Sequence, residues 1–246
     1  MTNEVVNKNE FVALRYSGSA NGVLFDSNEE ENIKKLHQDA NAREVIVVVG
    51  KGMVVPGLDK ALEGKEIGVR YEVSFDSRDG FGERKRELVK TIPLKVFTEK
   101  QINPYPGLTL AIDNMTARVI TVSGARVITD FNNPLASKSL HYSFMITRKV
   151  TDEQERVRAL FEVSFKFAPE FEIKDKITIK GPQILEMYVK AFSDMFKELV
   201  GKELAFELKV LPAGDVKKNE FMHDDHSAEH DHVHEHDSAH DHNHAH

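Results

Sequence analysis

Two sets of residues in this 246-residue chain could do chemistry. The first is histidine. Ten of the twelve histidines follow Met222: His223, His226, His230, His232, His234, His236, His240, His242, His244 and His246. Neutral imidazoles at this density chelate Ni²⁺, Zn²⁺ or Cu²⁺ without a preformed fold, and they release metal below about pH 6 as the rings protonate. Asp, Glu, Ser and Ala are interleaved among them, which is not the composition of a purification tag.

The second set is apolar. From Val45 to Lys65 the chain has a run of valines and isoleucine, a glycine turn at Gly50-Lys51-Gly52, then Val54-Val55-Pro56. Pro56 suits a first helical turn, where its missing N–H costs nothing. Leu58, Ala61 and Leu62 share one helical face. Such a strand and helix can form the floor of a cup. By themselves Val54, Val55 and Leu58 fit a plain core as well as a cavity wall. Neither Asp59 nor Glu63 is needed for chemistry on this reading.

Other motifs fall away. Gly57 and Gly64-Lys65 are separated by six residues and followed by Glu66, which is not a phosphate loop. Asp76–Gly80 lacks calcium-loop spacing. Asn114-Met115-Thr116 is a glycosylation sequon, idle without secretion, and the N-terminus shows no basic-then-apolar signal.

Composition bounds the remainder. Hydrophobic content of 40% and charged content of 30% are those of a globular protein, and no apolar run approaches the roughly 18 residues of a membrane span. There is no cysteine, so thiol catalysis and disulfides are excluded and a cytoplasmic location is expected. The net charge of −7 resides in the histidine-rich end, which has seven acidic and no basic residues; 33 acidic and 33 basic residues remain elsewhere. No basic excess exists to favour nucleic acid.

Alternation predicts strands at Phe11–Ser17, Val69–Phe75 and Leu140–Arg148, with a turn over Gly18–Gly22 before a short strand to Asp26. Ser27 with Glu30 predicts a capping box before a surface helix, Asn28 to about Ala40, and Thr151 with Gln154 predicts another before a helix reaching Phe165. Leu108–Ile112, Thr116–Val122 and Ala125–Asp130 make a β-rich insert of about 40 residues, too small for a deep core. Phe97–Pro106 reads as irregular. Two short strands, Phe171–Ile173 and Ile177–Ile179, precede a helix from Ile184 to Val200 with an apolar stripe, ended by Gly201. A last strand spans Leu204–Val210. The order α-β-β-α-β suggests a separate α+β domain.

These motifs, in order, resemble the FKBP-type peptidyl-prolyl isomerases. The match runs through Tyr16-Ser17-Gly18, Gly22–Ser27, Val47–Gly50, Val54–Leu58, Ala61-Leu62, Gly64-Lys65, Asp79–Gly82, Asn133–Ala136 and Leu140–Phe144. Glu87–Val89, Ile92-Pro93, Val96-Phe97, Gly107 and Val119–Val127 look like the insert-in-flap domain of SlyD-like members. The long archaeal subgroup is similar in its added C-terminal domain.

The resemblance implies an α+β fold: an antiparallel half-barrel wrapped on a short helix (1–90 and 130–149), a small β-rich inserted domain (91–129), a C-terminal α+β domain (150–214) and a histidine-rich tail (215–246). It implies rotation about X–Pro bonds with no cofactor, and binding of unfolded or proline-containing polypeptides, with neither nucleic acid nor membrane as partner. Tyr16, Phe25, Val54, Val55, Leu58, Phe81 and Tyr142 would line the proline pocket, Asp26 would be its polar edge, and the Val55 N–H would donate to substrate. Phe81 stands where the family usually has tyrosine, Leu58 where some members have tryptophan, and Asn133 where histidine is common. The tail looks like SlyD metal-binding tails, which commonly carry cysteine as well. Val96, Phe97, Ile102, Tyr105, Leu108, Leu110, Ile112, Val119, Ile120 and Val122 exceed what so small an insert can bury; they suit either a groove for unfolded chains or packing against each other and the C-terminal domain. A non-catalytic holdase and a metal-handling protein are the other functional readings.

Overall fold

The computed structural model describes residues 4–36 and 42–209. Its centre is a five-stranded antiparallel sheet. Strand β1 (Phe11–Ala20) pairs along its length with the long strand β9 (Leu140–Lys149). On its other edge it pairs first with β3 (Val45–Val48), then with β2 (Val23–Ser27), and β4 (Arg70–Phe75) closes the far side of β9. β1 runs further than alternation suggested, so the hairpin turn shrinks to Asn21-Gly22, both at positive φ (52° and 78°).

Helix α2 (Pro56–Leu62) lies against β4 with Leu58 and Leu62 fully buried. The approach is close because residue 57 has no side chain: a Cβ there would stand 2.3 Å from the Phe75 ring. Tyr142, Phe144, Ile146, Leu14 and Val12 complete this core.

The valine run of β3 does not alternate because both faces of the sheet are covered. Val45, Val47 and Val49 face the α2 core, whereas Ile46 and Val48 join the core of the C-terminal unit. β1 divides likewise: Val12 and Leu14 go one way, Phe11 and Ala13 the other. Against that second face pack α4 (Glu153–Phe165), the hairpin β10 (Glu170–Ile173) and β11 (Ile177–Gly181), α5 (Leu185–Val200) and β12 (Leu204–Leu208). β11 and β12 are parallel, joined through α5. The α-β-β-α-β order stands, but its core is continuous with the sheet through Phe11, Ala13, Val48 and Val150.

The insert is a separate sheet ordered β5 (Val89–Pro93), β8 (Arg126–Asp130), β7 (Met115–Ser123), β6 (Thr109–Ile112), with α3 (Leu94–Glu99) against it. Its buried core is the cluster Phe97, Val119 and Val127, with Ala117 buried as well. Tyr105 remains 59% exposed, and Val96, Met115 and Ile120 are exposed too.

The structure corrects several local expectations. α3 occupies part of the stretch read as irregular; Pro93 at its N-cap starts it. Neither expected capping box forms. Helix α1 (Glu30–Lys35) begins after Glu29, and the Ser27 hydroxyl instead donates to the Tyr16 carbonyl and accepts from the Glu29 N–H. α4 is capped by Asp152, whose carboxylate accepts from the Glu155 N–H. The remainder of the helix expected to reach Ala40, the end of the strand expected to reach Val210 and the histidine-rich tail lie outside the described residues.

A shared core predicts shared melting. Phe161→Ala removes a fully buried ring that meets Phe165, Phe171 and Phe196. It should cost about 3–5 kcal/mol and lower the denaturant midpoint of half-barrel and C-terminal unit together. An early transition confined to the C-terminal unit would contradict this.

Candidate functional site

The residues that could act together converge beside α2. Tyr16 leaves β1 where β2 begins to pair, and its hydroxyl donates to Asp26 Oδ2 at 3.0 Å. The Tyr16 backbone is fixed by buried Asn28: the Tyr16 N–H donates to Asn28 Oδ1 at 2.7 Å, and Asn28 Nδ2 donates to the Leu14 carbonyl at 2.7 Å. Tyr142, from β9, lies between several rings. Its centroid is 6.0 Å from Tyr16, 5.9 Å edge-on from Phe25, and 5.7 Å from Phe75 in a near-parallel stack. This crowding requires Gly18, where a Cβ would stand 2.8 Å from the Tyr142 ring and 3.0 Å from Phe25.

Phe81 comes from a loop built for it. Asp76 caps a 3-10 turn at Ser77–Asp79, and the Gly80 and Gly82 N–H groups both return to the Ser77 carbonyl. Glu83 accepts from the Ser77 and Ser137 hydroxyls, which hold its carboxyl below its usual range and tie the loop to the return segment. The Phe81 ring then meets Phe25 edge-on at 6.0 Å.

The floor comes from the turn before α2. Buried Asp59 accepts from the Gly50 N–H at 2.9 Å and the Gly52 N–H at 2.8 Å, which sets the chain entering Met53-Val54-Val55.

Together Tyr16, Asp26, Met53, Val54, Val55, Leu58, Phe81 and Tyr142 line one open cavity of about 400 Å³. Seven of the eight residues expected from sequence are in this lining; the eighth, Phe25, stands behind it against Phe81 and Tyr142. Met53 was not expected, nor were the fixing roles of Asn28, Asp59 and Gly18. Asn28 read as a helix start, and its contact with β1 spans twelve or more residues, beyond any local pattern.

Apart from Asp26 and the two tyrosine hydroxyls, the side chains lining the cavity are apolar. Burial, followed by the Asp26 charge, pushes the Tyr16 and Tyr142 hydroxyls well above the usual phenol range, so both stay protonated. Tyr16 spends its proton on Asp26. Among the described residues, neither the Tyr142 hydroxyl nor the Val55 N–H has a hydrogen-bond partner, so both are free to donate into the cavity. A larger cleft of about 580 Å³ lies at the base of the insert, lined by Arg84, Arg118, Asp130 and Lys138 among others, but no aromatic ring faces it. Among the described residues no group of three or more His, Cys, Asp or Glu could hold a metal, and no helix is long and apolar enough to cross a membrane.

A family model described as FKBP-type peptidyl-prolyl cis-trans isomerase matches residues 2–98, and one described as FKBP26, IF domain, matches residues 90–135. A short-type peptidyl-prolyl cis-trans isomerase of Methanocaldococcus jannaschii is 29% identical over 153 residues, 61% of this chain and 95% of that protein. The SlyD isomerase of Haemophilus influenzae is 28% identical over 166 residues, covering 61% of this chain and 76% of the relative. The SlyD of Escherichia coli is 27% identical over 114 residues, 43% and 56% of the two chains. With the antiparallel half-barrel, the α2 floor and the inserted sheet, these matches lead to one conclusion: the chain carries an FKBP-type peptidyl-prolyl cis-trans isomerase domain with an inserted IF domain and is similar to the SlyD isomerases.

Proposed function

We propose that the cavity beside α2 is where this isomerase acts, and that it works by desolvation. The observation that carries this is the convergence of aromatic and aliphatic walls on a cavity with two free donors. The barrier to X–Pro rotation, about 18–20 kcal/mol, comes from amide resonance. Planar amide has more charge separation than twisted amide, and water bound to the carbonyl stabilises the planar form. A prolyl ring held among Val54, Val55, Leu58 and Tyr142 loses that water, and the twisted geometry is favoured. A 10⁴-fold acceleration needs only about 5–6 kcal/mol. No nucleophile or proton transfer is required, which matches a site whose one carboxylate, Asp26, is occupied by Tyr16.

The departure at Phe81 has a counterpart in this arrangement. The hydroxyl absent there is supplied on the other wall by Tyr142, beside the Val55 N–H. Substrate chain is held by these two donors and by shape.

The insert binds unfolded polypeptide on this reading. Its support is the ratio of core to surface. Four buried apolar residues, Phe97, Ala117, Val119 and Val127, carry a sheet on which Tyr105, Val96 and Ile120 stay exposed, and a small groove runs between α3 and β6 along Val96, Ile102, Leu110 and Ile112. The histidines beyond Met222 bind divalent transition metal, and a cytoplasmic setting agrees with the cysteine-free composition.

Three measurements test these readings. In a protease-free assay on a proline-containing tetrapeptide, Tyr142→Phe should lower kcat/KM by about two- to tenfold, the worth of one hydrogen bond. Phe25→Ala with Tyr142→Ala should bring it near the uncatalysed rate; wild-type turnover in the double variant would remove the cavity from the mechanism. Excising Pro93–Ile128 should depress refolding of a proline-limited protein far more than tetrapeptide isomerisation, and equal loss on both would count against the insert as a binding module. Truncation after Met222 should abolish Ni²⁺ retention, itself lost in the full chain below about pH 6, while tetrapeptide turnover is kept. Retained Ni²⁺ binding would overturn the tail assignment.

A further inference from the structure

The C-terminal unit supplies no residue to the cavity. We infer that it nevertheless buttresses the turn from which the cavity floor is built, so that isomerase turnover depends on it. The inference rests on the cavity assignment proposed above.

Within itself the turn is held by one backbone hydrogen bond, from the Lys51 N–H to the Val48 carbonyl at 3.2 Å. Gly50 and Gly52 take left-handed φ of 78° and 67°, and neither has a side chain to anchor it. Its side-chain fixings come from opposite sides of the sheet. From the isomerase side, Asp59 of α2 accepts the Gly50 and Gly52 N–H groups. From the other side, Glu198 of α5 takes the ammonium of Lys51 at 2.5 Å, the residue between the two glycines. Lys51 is only 26% exposed, so its stem lies along the protein surface and does not swing free.

Two packing contacts follow the same line. β3 leads directly into the turn, and its Ile46 and Val48 belong to the C-terminal core whereas Val47 and Val49 belong to the isomerase core. Met53, which lines the cavity, packs against both cores, and its sulfur accepts from the Val48 N–H at 3.2 Å. A shift of β3 or α5 therefore reaches Met53-Val54-Val55 without passing through the substrate side. Glu198 and Asp59 act here as positioning residues; neither lines the cavity.

The test uses the full chain. Glu198→Lys places a like charge against Lys51, and Lys51→Glu with Glu198→Lys restores the attraction with signs exchanged. The single variant should lower tetrapeptide kcat/KM by about two- to fivefold, the range of one partly exposed ion pair, with the melting temperature unchanged. Hydrogen exchange should quicken at the Gly50 and Gly52 amides but not at the Tyr16 amide, which Asn28 holds. The charge-exchanged double variant should recover both turnover and protection. Wild-type turnover and protection in Glu198→Lys would overturn the buttress, as would failure of the exchange to restore them. If the cavity assignment itself were wrong, the Phe25→Ala, Tyr142→Ala variant would also keep full turnover; failure of the buttress alone leaves that variant inactive.

Discussion

A β-strand has two edges and two faces, and β1 uses all of them. Its edges are bonded to β9 on one side and to β3 and then β2 on the other. Its faces serve two cores, Val12 and Leu14 in one, Phe11 and Ala13 in the other. With every direction occupied, the strand cannot slip by one residue without exchanging the contents of both cores. The position of Tyr16 follows from that fixed register. So does the position of Tyr142, which pairs with Gly18 two residues further along.

Except for the Tyr16–Asp26 hydrogen bond, the polar contacts that fix the cavity lie outside it. Asn28, Asp59, Ser77 and Glu83 all make hydrogen bonds that fix backbone or loops, yet none of them lines the cavity. The side chains that line it are aliphatic or aromatic except for Asp26. A buried polar group costs little when satisfied and much when not, and among the described residues no fully buried side-chain N or O is left without a partner. The frame can thus be rigid and polar while most of the lining side chains stay apolar.

This division also explains what could be read from the chain alone. The wall residues were legible because hydrophobic pattern and motif order mark them: the valine run, Pro56 at the start of α2, and the alternating β9. The apolar stripe of α5 and its glycine end were equally plain. The frame was not legible, because its partners are distant in sequence. Asp59 sits mid-helix among ordinary residues, and only the folded turn brings two N–H groups to it. Asn28 looks like a helix start until β1 is beside it. The capping boxes failed for a related reason: Ser27 is taken by β1, so the helix begins without it. The short, partly charged β5 and α3 carry too few apolar residues to declare a period, and only the inserted sheet gives them a place.

The insert enters and leaves the half-barrel through a narrow neck. The Phe131 N–H donates to the Leu88 carbonyl at 2.9 Å, Asn132 bonds both ways with the Lys85 backbone, and Arg84 grips Asp130 through two nitrogens. The two chain ends of the insert are thus already joined where they meet the sheet. To the half-barrel, residues 89–130 are topologically one hairpin loop. The entropy of closing a loop rises only with the logarithm of its length, so a closed neck makes the size of what lies beyond it almost invisible to the sheet. A domain can be lengthened, exchanged or pared to a turn at this point while the half-barrel keeps its register, provided that the neck is preserved.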